Sequence, residues 1–482
     1  MDQSKLNSLA GYGLLLAGIP LMMGVSLVGI REPLYLVAAA IAAGCCYAFF
    51  KYFETTVIAL LVVRSALDVF SDQQLPAALA LGIDALVMIY VAHRLITRQT
   101  IETDRFWWFL IGWFVVQGLW VVLLPLGGLG AGTSVLGDAV REWVRLISGG
   151  LIYLLVMQLK GRIAPEQLVN LLFLCVAIPI AFGILQCLPI DGLPTIIVPE
   201  VSPVAIEEGS RVQGSMGHPN SFACFALLFV ALSLWKGEHA ERPIRWFALA
   251  GLLIFLLLAS KSITGIVMLG AFIVAYFLPK LRGKDIFWAL GLTAVITVLL
   301  MANSSGGRLG ELAATPLLNR DLDVSRAIAL QAADVDAYRN SFNWRLAHWS
   351  NLIQQWRLHP WMGYGMASAK KISLYDNTPH NDYVRFLTEG GIVGFMTFVL
   401  FHIAQLGRLV QLTRTSYPKS PQQRLGMTLI AVHISMMVGM LAGNVLTGTT
   451  LFFYWWTLLA VLGWQWQSPS VLTTSHSAFS RL

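Results

Sequence analysis

The chain has 482 residues, of which 56% are hydrophobic and only 12% are charged, and its mean hydropathy is +0.67. Soluble domains carry about 25% charged residues, so this composition excludes a soluble globular protein and indicates an integral membrane protein. The formal net charge of +7 does not call for a nucleic-acid partner, because membrane proteins concentrate Lys and Arg in their cytoplasmic loops.

Apolar segments long enough to cross a bilayer recur along the whole chain, since a spanning helix needs roughly 20 mostly apolar residues. The sequence predicts fourteen of them, near residues 10–30, 33–50, 55–70, 75–93, 106–124, 140–158, 167–188, 220–236, 244–259, 262–279, 285–303, 382–407, 425–447 and 450–467. The break at Ser260-Lys261-Ser262 allows either two spans or one long kinked helix there.

The basic residues of the short loops predict the orientation of these spans. With the N-terminus placed in the cytoplasm, all the basic loop clusters fall on the cytoplasmic side, as the positive-inside rule requires. The clusters are Arg94/Arg98/Arg105, Lys160/Arg162, Lys236/Arg242/Arg245, Lys280/Arg282/Lys284 and Arg408/Arg414/Lys419/Arg424. Both termini are therefore predicted to be cytoplasmic.

The same count places two long hydrophilic loops, residues 189–219 and 304–381, outside the cytoplasm. They divide the chain into N-terminal transmembrane helices (1–188), central helices (220–303), C-terminal helices (382–467) and a cytoplasmic tail (468–482). The second loop has a Trp-rich amphipathic pattern that predicts a helix over 338–358, and such a helix suits a membrane–water interface.

Four residues that could carry chemistry fall on the predicted outer side: Arg211, Lys261, Arg345 and His380. Each has a simpler explanation. The first two could snorkel at helix ends, Arg345 could belong to a solvated helix face, and His380 could cap a helix. Their convergence on the side away from the cytoplasm favours instead a cationic pocket for an anionic, phosphorylated lipid. In such a pocket a histidine is well suited to move a proton.

Three segments of the chain carry a family resemblance, and together they span roughly its C-terminal two-thirds. They are "RVQGSMGHPNSFA" (211–223), "NWRLAHWSNLIQQWRLHPWMGYG" (343–365) and "PHNDYVRFLTEGGIVGF" (379–395). In this order, they resemble the Arg-x-x-Gly…Pro-Asn, Arg…Trp…His-Pro…Gly-x-Gly and His-Asn…Glu-Gly-Gly-x-x-Gly segments of the O-antigen ligase/polymerase superfamily of membrane glycosyltransferases.

The resemblance implies a fold, a location and a donor. The fold would be an all-α, GT-C-like transmembrane bundle of about 14 spans with a large, partly helical extracytoplasmic loop. The location would be the bacterial inner membrane, with the active site on its outer face. The donor would be an undecaprenyl-pyrophosphate-linked glycan, used without a cofactor or a metal ion.

By the same resemblance, His380 would be the catalytic residue that deprotonates or orients the acceptor hydroxyl. Arg211 and Arg345 would hold the pyrophosphate, and His218 and Asn381 would contribute to substrate binding. Where many relatives have Ser-Arg at the outer end of a helix, this chain has Ser-Lys, so Lys261 keeps the charge but loses the bidentate fork of arginine.

The acceptor is left open by the sequence. A polymerase is favoured because fourteen helices exceed the dozen associated with the ligases; a ligase to lipid A core and a protein O-oligosaccharyltransferase are the alternatives. The expected partners are a glycan or lipid acceptor and membrane lipid, with a chain-length regulator or flippase alongside, and no nucleic acid. A lipid or polysaccharide transporter is the alternative from a different class.

Two further features complete the sequence-based expectations. The acidic triplets at 321–323 and 334–336 are not expected to bind metal, because nucleotide sugars are absent from the outer side. Arg385 and Glu389 have i,i+4 spacing within a membrane helix and are expected to neutralise each other. The nearby Gly390, Gly391 and Gly394 would permit close helix packing or leave room for a polyprenyl chain.

Overall fold

The computed structural model describes residues 43–71, 73–188, 211–280 and 341–466, together with residues 194 and 197, and their regular structure is helical. The spans predicted near 10–30 and 285–303, most of the first long loop, residues 304–340 of the second and the C-terminal tail lie outside these residues. The helices are α1 (Phe53–Val63), α2 (Leu75–Ile96), α3 (Arg105–Leu126), α4 (Leu136–Met157), α5 (Pro165–Cys187, with a 3-10 turn at Phe173–Val176), α6 (Pro219–Gly237), α7 (Pro243–Ala259), α8 (Ile263–Phe277), α9 (Ser341–Trp356), α10 (Ala369–Ile372), α11 (Asp382–Thr415), α12 (Pro421–Gly439) and α13 (Thr449–Leu462).

Five of the described helices are long and apolar enough to span a membrane: α2, α3, α5, α6 and α11. Three shorter apolar helices, α7, α8 and α13, have 14 to 17 residues. The all-α, membrane-protein prediction is therefore confirmed, whereas the count of about 14 spans is not confirmed by the part of the chain described.

The centre of the bundle is formed by α6 and α13, which are buried almost all round. Every residue from Thr450 to Leu462 is buried, and so are nearly all residues from Phe222 to Gly237. A helix that is hydrophobic on all faces belongs in the core of a bundle. The remaining helices pack around this pair and expose apolar side chains such as Leu119 and Met396 on the outside.

Side-chain contacts define two ends of the bundle, because Ser262 at the start of α8 bonds to Asn220 at the start of α6, and Tyr276 near the end of α8 bonds to Glu238. The Pro219 end holds the starts of α6, α8 and α11, and the Gly237 end holds their C-termini. Two ion pairs lie at the Gly237 end: Arg408 is 2.6 Å from Asp104, and Lys236 is 2.5 Å from Glu166. The basic clusters at residues 94–105, 236–245 and 408–424 therefore lie at the end opposite to Pro219.

The break at residues 260–262 separates two helices rather than kinking one. Lys261 has φ +50°, a left-handed conformation that ends α7. Ser262 then caps α8, because its Oγ accepts a hydrogen bond of 3.0 Å from the Gly265 backbone N–H. Of the two alternatives left open by the sequence, the structure shows two separate helices and not one kinked helix.

Helix α11 is interrupted at Gly391, which has φ +62° and ψ −164°. The interruption frees backbone groups on both sides, and the segment 360–365 supplies their partners. The hydrogen bonds run from the N–H of Tyr364 to Thr388 O (3.1 Å), of Gly365 to Glu389 O (2.8 Å), of Ile392 to Pro360 O (2.8 Å) and of Val393 to Trp361 O (3.1 Å). Non-helical backbone within a membrane-spanning helix is tolerated here because other parts of the protein supply its hydrogen-bond partners.

Two glycines make this docking sterically feasible. A Cβ at Gly391 would overlap the Trp361 carbonyl, and a Cβ at Gly363 would lie 2.5 Å from Thr388 O. Both have positive φ, which only glycine adopts without strain. The His-Pro…Gly-x-Gly and Glu-Gly-Gly segments are thus two halves of one interlocked element.

The neighbouring glycines of α11 serve close packing. A Cβ at Gly394 would lie 3.2 Å from the Trp120 ring, and one at Gly390 would lie 3.8 Å from it. The Trp120 indole also donates to the Met362 carbonyl at 2.9 Å. Of the two roles expected for these glycines, the structure shows packing against α3.

A four-residue ion network supports the first turns of α11. Arg385 Nη2 donates to Glu142 at 2.8 Å, and its Nε lies 3.3 Å from Glu389. Arg145 contacts the other oxygen of Glu142 at 2.6 Å. The expected Arg385–Glu389 pair is present, and α4 contributes a second pair, so two cations and two anions balance within the bundle.

Candidate functional site

Three helices begin next to one another at the Pro219 end, and each is capped by a side chain. His218 Nδ1 accepts from the Asn220 N–H at 3.1 Å, at the start of α6. Ser262 caps α8, and Asn381 caps α11 by accepting from the Val384 N–H at 3.1 Å. Helix N-termini carry partial positive charge, so their convergence favours an anion.

Direct hydrogen bonds hold these helix starts together. Ser262 Oγ donates to Asn220 Oδ1 at 2.7 Å, which joins α8 to α6. The Ala442 carbonyl accepts from Thr264 Oγ1 at 2.9 Å and from Arg345 Nη1 at 2.8 Å. Arg345, on α9, is thereby fixed against the first turn of α8.

The segment 440–448 completes this arrangement. The Asp382 N–H donates to the Met440 carbonyl at 2.9 Å, and Asp382 Oδ2 accepts from the Leu446 N–H at 3.0 Å. Asn444 Nδ2 donates to Thr378 Oγ1 at 2.8 Å. The span predicted over 425–447 is therefore wrong in its last part. Helix α12 ends at Gly439, and the chain continues as an irregular segment whose backbone is satisfied by α11.

Arg211 is anchored at the C-terminal end of α7. Its Nε donates to Ser260 O at 3.1 Å and its Nη2 to Lys261 O at 3.4 Å. Carbonyls at a helix C-terminus are left without intrahelical donors, so Arg211 satisfies them. This contact ties the first sequence motif to the Ser-Lys break.

Helix α9 positions the chain that leads to His380. Trp349 Nε1 donates to the Pro379 carbonyl at 2.6 Å. The fully buried His348 packs against the Tyr375 ring, with 5.1 Å between ring centroids. The predicted amphipathic helix at 338–358 is present as α9, and it lies against this site.

His380 has φ +51°, a left-handed conformation that costs energy for any residue with a Cβ. The cap of α11 is Asn381, so helix capping does not explain His380. Lys261 shares the left-handed backbone, with φ +50°. Seven described residues other than glycine have positive φ, and Lys261 and His380 are the two of them that were predicted as site residues.

The electrostatics of the imidazoles show that the candidate residues share one environment. Burial lowers the pKa of His380 to about 4, and the positive charges of Arg345, His218 and His348 act in the same direction. Burial and the charge of Arg211 lower the pKa of His218, and burial lowers that of His348 to about 4. We call Arg211, His218, Lys261, Arg345, His348 and His380 the cationic cluster.

The cationic cluster combines fixed positive charge with neutral imidazoles. Guanidinium groups stay charged at all physiological pH values, while a histidine with a pKa of about 4 is neutral at pH 7 and can accept a proton. The structure thus brings together all the residues predicted for the site: His380, Arg211, Arg345, Lys261, His218 and Asn381.

Two site residues were not predicted from the sequence. His348 lies three residues after Arg345, a spacing that puts both on one face of α9. Asn220 carries the hydrogen bond that joins α6 to α8. The i,i+3 spacing of His348 was a usable signal, whereas the role of Asn220 depends on a contact with a residue 42 positions away.

Among the described residues, no group of three or more His, Cys, Asp and Glu side chains is arranged to hold a metal ion. The acidic triplets at 321–323 and 334–336 lie outside the part of the chain that the structure describes.

Part of the chain that forms this site matches the model of a known protein family. Residues 247–399 match the family model described as O-antigen ligase; no curated protein matches the chain. The matched region includes Lys261, Arg345 and His380, and runs from α7 into α11. The match contains the second and third motifs, whereas the first, at 211–223, precedes it. Residues 247–399 are thus similar to the O-antigen ligase family, which supports the resemblance to the O-antigen ligase/polymerase superfamily and an O-antigen ligase-type membrane glycosyltransferase.

Proposed function

We propose that the protein transfers a glycan from an undecaprenyl-pyrophosphate donor to an acceptor hydroxyl at the outer face of the bacterial inner membrane. One observation carries this proposal. The cationic cluster and three helix N-termini converge at one end of a membrane bundle, beside a histidine held in its neutral form. Such a site suits a lipid-linked pyrophosphate whose transfer requires a proton acceptor.

The distribution of basic residues supports the outer location. The Gly237 end carries the Lys and Arg clusters that the positive-inside rule assigns to the cytoplasm, and the cationic cluster lies at the other end. On this topology both termini are cytoplasmic, and the loops 189–219 and 304–381 lie on the same side as the site. This topology divides the chain into three transmembrane regions and a cytoplasmic tail: 1–188, 220–303, 382–467 and 468–482.

Pyrophosphate binding is the first task of the site. Arg345 and Arg211 supply fixed charge, with Lys261 at the break between α7 and α8. Preorganised cations and amide dipoles stabilise charge that builds on a leaving group, and they do so most strongly where water is excluded. Because the pyrophosphate is already a good leaving group, the protein need not activate it chemically and has only to stabilise the charge that builds on it.

Transfer then exchanges one bond for another. The acceptor oxygen forms a bond to the anomeric carbon, the bond from that carbon to the phosphate oxygen breaks, and undecaprenyl pyrophosphate leaves. The acceptor proton passes to His380, which is neutral before the reaction. A nearby anionic donor favours the imidazolium form, so donor binding raises the basicity of His380 when a proton must be accepted.

All three acceptor classes fit this chemistry, because a polymerase, a ligase and a protein O-oligosaccharyltransferase would use the same donor. The helix-count argument for a polymerase is not supported by the described residues. Gene deletion followed by gel analysis of surface glycans separates the classes. Loss of long chains with one repeat retained indicates a polymerase, and loss of all attachment to lipid A indicates a ligase.

The activity itself is tested with purified protein in lipid nanodiscs. Supplied with an undecaprenyl-pyrophosphate-linked glycan and an acceptor glycan, the protein is expected to consume the donor and lengthen or modify the acceptor. In liposomes, movement of the donor across the bilayer without its consumption would instead indicate a transporter.

Metal independence is part of the proposal, since cations of the protein perform the charge stabilisation. Treatment with EDTA should leave the transfer rate unchanged. Activity lost to EDTA and restored by magnesium or manganese would contradict this, and would direct attention to the acidic residues at 321–323 and 334–336.

A further inference from the structure

A cavity lies beside the segment 440–448, in the same half of the bundle as the cationic cluster. Its volume is about 520 Å³, and it lies between α2, α4 and α13. Apolar and aromatic side chains form most of its wall, among them Val144, Phe401, Phe453 and Trp456. Ligand sites typically measure about 300–1,000 Å³, so the cavity is of ligand size.

The arginines around this cavity are paired with carboxylates, and the remaining charged residue of the wall, Asp84, accepts a hydrogen bond from the Ser148 hydroxyl. Arg64 lies 2.5 Å from Asp68, Arg145 lies 2.6 Å from Glu142, and Arg141 contacts Asp138 at 3.0 Å. Each arginine of the wall thus has a carboxylate partner within the described residues. A ligand with its own phosphate at this rim would compete with those carboxylates, so the cavity suits an uncharged hydrocarbon chain.

The cavity and the cationic cluster share the segment 440–448 as a partition. Leu446 lines the cavity, and its backbone N–H is bonded to Asp382, two residues after His380. Ala442, in the same segment, accepts from Arg345. Beyond the partition, the Thr449 hydroxyl accepts from Arg64 at 3.0 Å. A lipid whose phosphates rest at the cluster can therefore reach the cavity past a single segment of chain.

We infer that this cavity holds the proximal part of the polyprenyl chain of the donor, while the pyrophosphate lies in the cationic cluster. This inference rests on the proposed function. In a bilayer, lipid tails are as apolar as the cavity wall, so no hydrophobic gain accompanies entry. Selection for a polyprenyl chain comes from packing of its methyl branches against the aromatic rings.

The decisive variant fills the cavity. Ala80 lines it, whereas Ala78, two residues earlier on α2, is exposed and does not. Ala80→Phe and Ala78→Phe are thus the same change on different faces of one helix. Binding of undecaprenyl pyrophosphate and of geranyl pyrophosphate, which has only two isoprene units, is measured by native mass spectrometry of the full chain in detergent.

The wild-type protein is expected to bind the long-chain lipid roughly tenfold more tightly than the short one, or about 1.4 kcal/mol. Ala80→Phe should remove most of that preference while geranyl pyrophosphate binding is retained, which also shows that the variant is folded. Ala78→Phe should keep the full preference. Added phosphatidylglycerol should compete poorly.

The other outcomes overturn the inference. Equal chain-length preference in Ala80→Phe and the wild type, or equal loss of both lipids in Ala80→Phe, means that the chain does not enter the cavity. Strong competition by phosphatidylglycerol makes the cavity a bulk-phospholipid site. If the wild type binds both pyrophosphates equally, the cavity assignment fails and the proposed donor stands; if it binds neither, the donor assignment fails as well.

Discussion

His380 combines a strained backbone with a ring surrounded by positive charge. The left-handed φ of +51° is tolerated best by Gly, Asn and Asp, and the cap of α11 is the next residue. A position with no capping role and an unfavourable backbone is maintained most simply by a requirement for its ring.

The first prediction concerns replacement of that ring. His380→Asn retains a residue that tolerates positive φ, yet it cannot accept a proton, so transfer should fall about 10²–10⁴-fold. His380→Ala should lose as much, with donor binding nearly unchanged in both variants. Turnover of a lipid-linked donor is the measurement, and His239→Ala, at the Gly237 end, is the control expected to behave as the wild type. An active Asn variant would remove the catalytic role.

The second prediction is a pH profile. Burial and the neighbouring charges lower the pKa of His380 from its usual value near 6.5 to about 4, and only the neutral ring accepts a proton. In the free protein, kcat/KM should therefore stay level from pH 8 to about pH 5 and fall as pH drops toward 4. The same shift means that stability from the neutral ring is complete above pH 6.5 and is lost toward pH 4. Loss of activity centred near pH 6.5 would contradict this environment.

The third prediction compares Arg345 with Arg357, an arginine that lies just after the end of α9. Arg345→Ala should weaken donor binding about 10–100-fold, as expected for loss of a charge-assisted hydrogen bond. Arg345→Lys should restore only part, because a point charge cannot bind bidentately. Arg357 is exposed and is the first residue after α9, so Arg357→Ala is the matched control. Equal effects of the two Ala variants on donor affinity would assign Arg345 to the solvated face.

At the scale of elements, the interruption of α11 is held by hydrogen bonds from a segment about 30 residues earlier. The Gly391 conformation, with φ +62° and ψ −164°, belongs to a region that is essentially restricted to glycine. The docked segment 360–365 would lose its partners if α11 were continuous.

The fourth prediction follows from that conformation. Gly391→Ala should lower stability by at least about 1–3 kcal/mol from backbone strain, with further loss from overlap with the Trp361 carbonyl. Gly407 lies in the same helix, and a Cβ there meets nothing within 4 Å. Gly407→Ala should therefore be neutral or stabilising by up to ~1 kcal/mol. Thermal unfolding in detergent compares the two, and equal melting temperatures would show that the interruption is not required.

The sequence predicted the helices well and their interruptions poorly. Apolar length placed α3, α6 and α7 within a few residues, because hydropathy alone determines which segments can be buried in lipid. The same criterion predicted that α12 continues to residue 447, where the chain is in fact irregular. An apolar segment satisfied by distant backbone has the same composition as a helix, so neither this end nor the break at Gly391 could be read locally.

At the scale of the whole molecule, the topology is tested by labelling. Asn377 and Lys419 are both exposed and flank the two ends of α11. With the native cysteines replaced, a membrane-impermeant maleimide added to spheroplasts should label Asn377→Cys and miss Lys419→Cys. Permeabilised membranes, where both should react, provide the control. The reverse pattern would put the cationic cluster in the cytoplasm and remove the proposed donor.

The site itself was predictable in its residues but not in its assembly. Arg211, Arg345 and His380 were predicted as site residues because basic groups on the predicted outer side of a membrane protein need an explanation. The joining contacts, such as Asn220 with Ser262 and Arg345 with Ala442, connect residues 42 and 97 positions apart. No periodicity or spacing encodes such pairs, so only the folded bundle shows that the candidates form one cluster.

The three helix starts at this site bear on how the family can diversify. Part of the attraction for an anion comes from backbone amides, which every sequence with the same helices supplies without any particular side chain. Individual cations can then change over evolutionary time with limited loss of donor affinity, provided that the caps persist. Lys261, at a position where the motif resemblance leads us to expect arginine, would be a substitution of that kind. The positions least free to vary are accordingly His218, Ser262 and Asn381, which hold the amides in place.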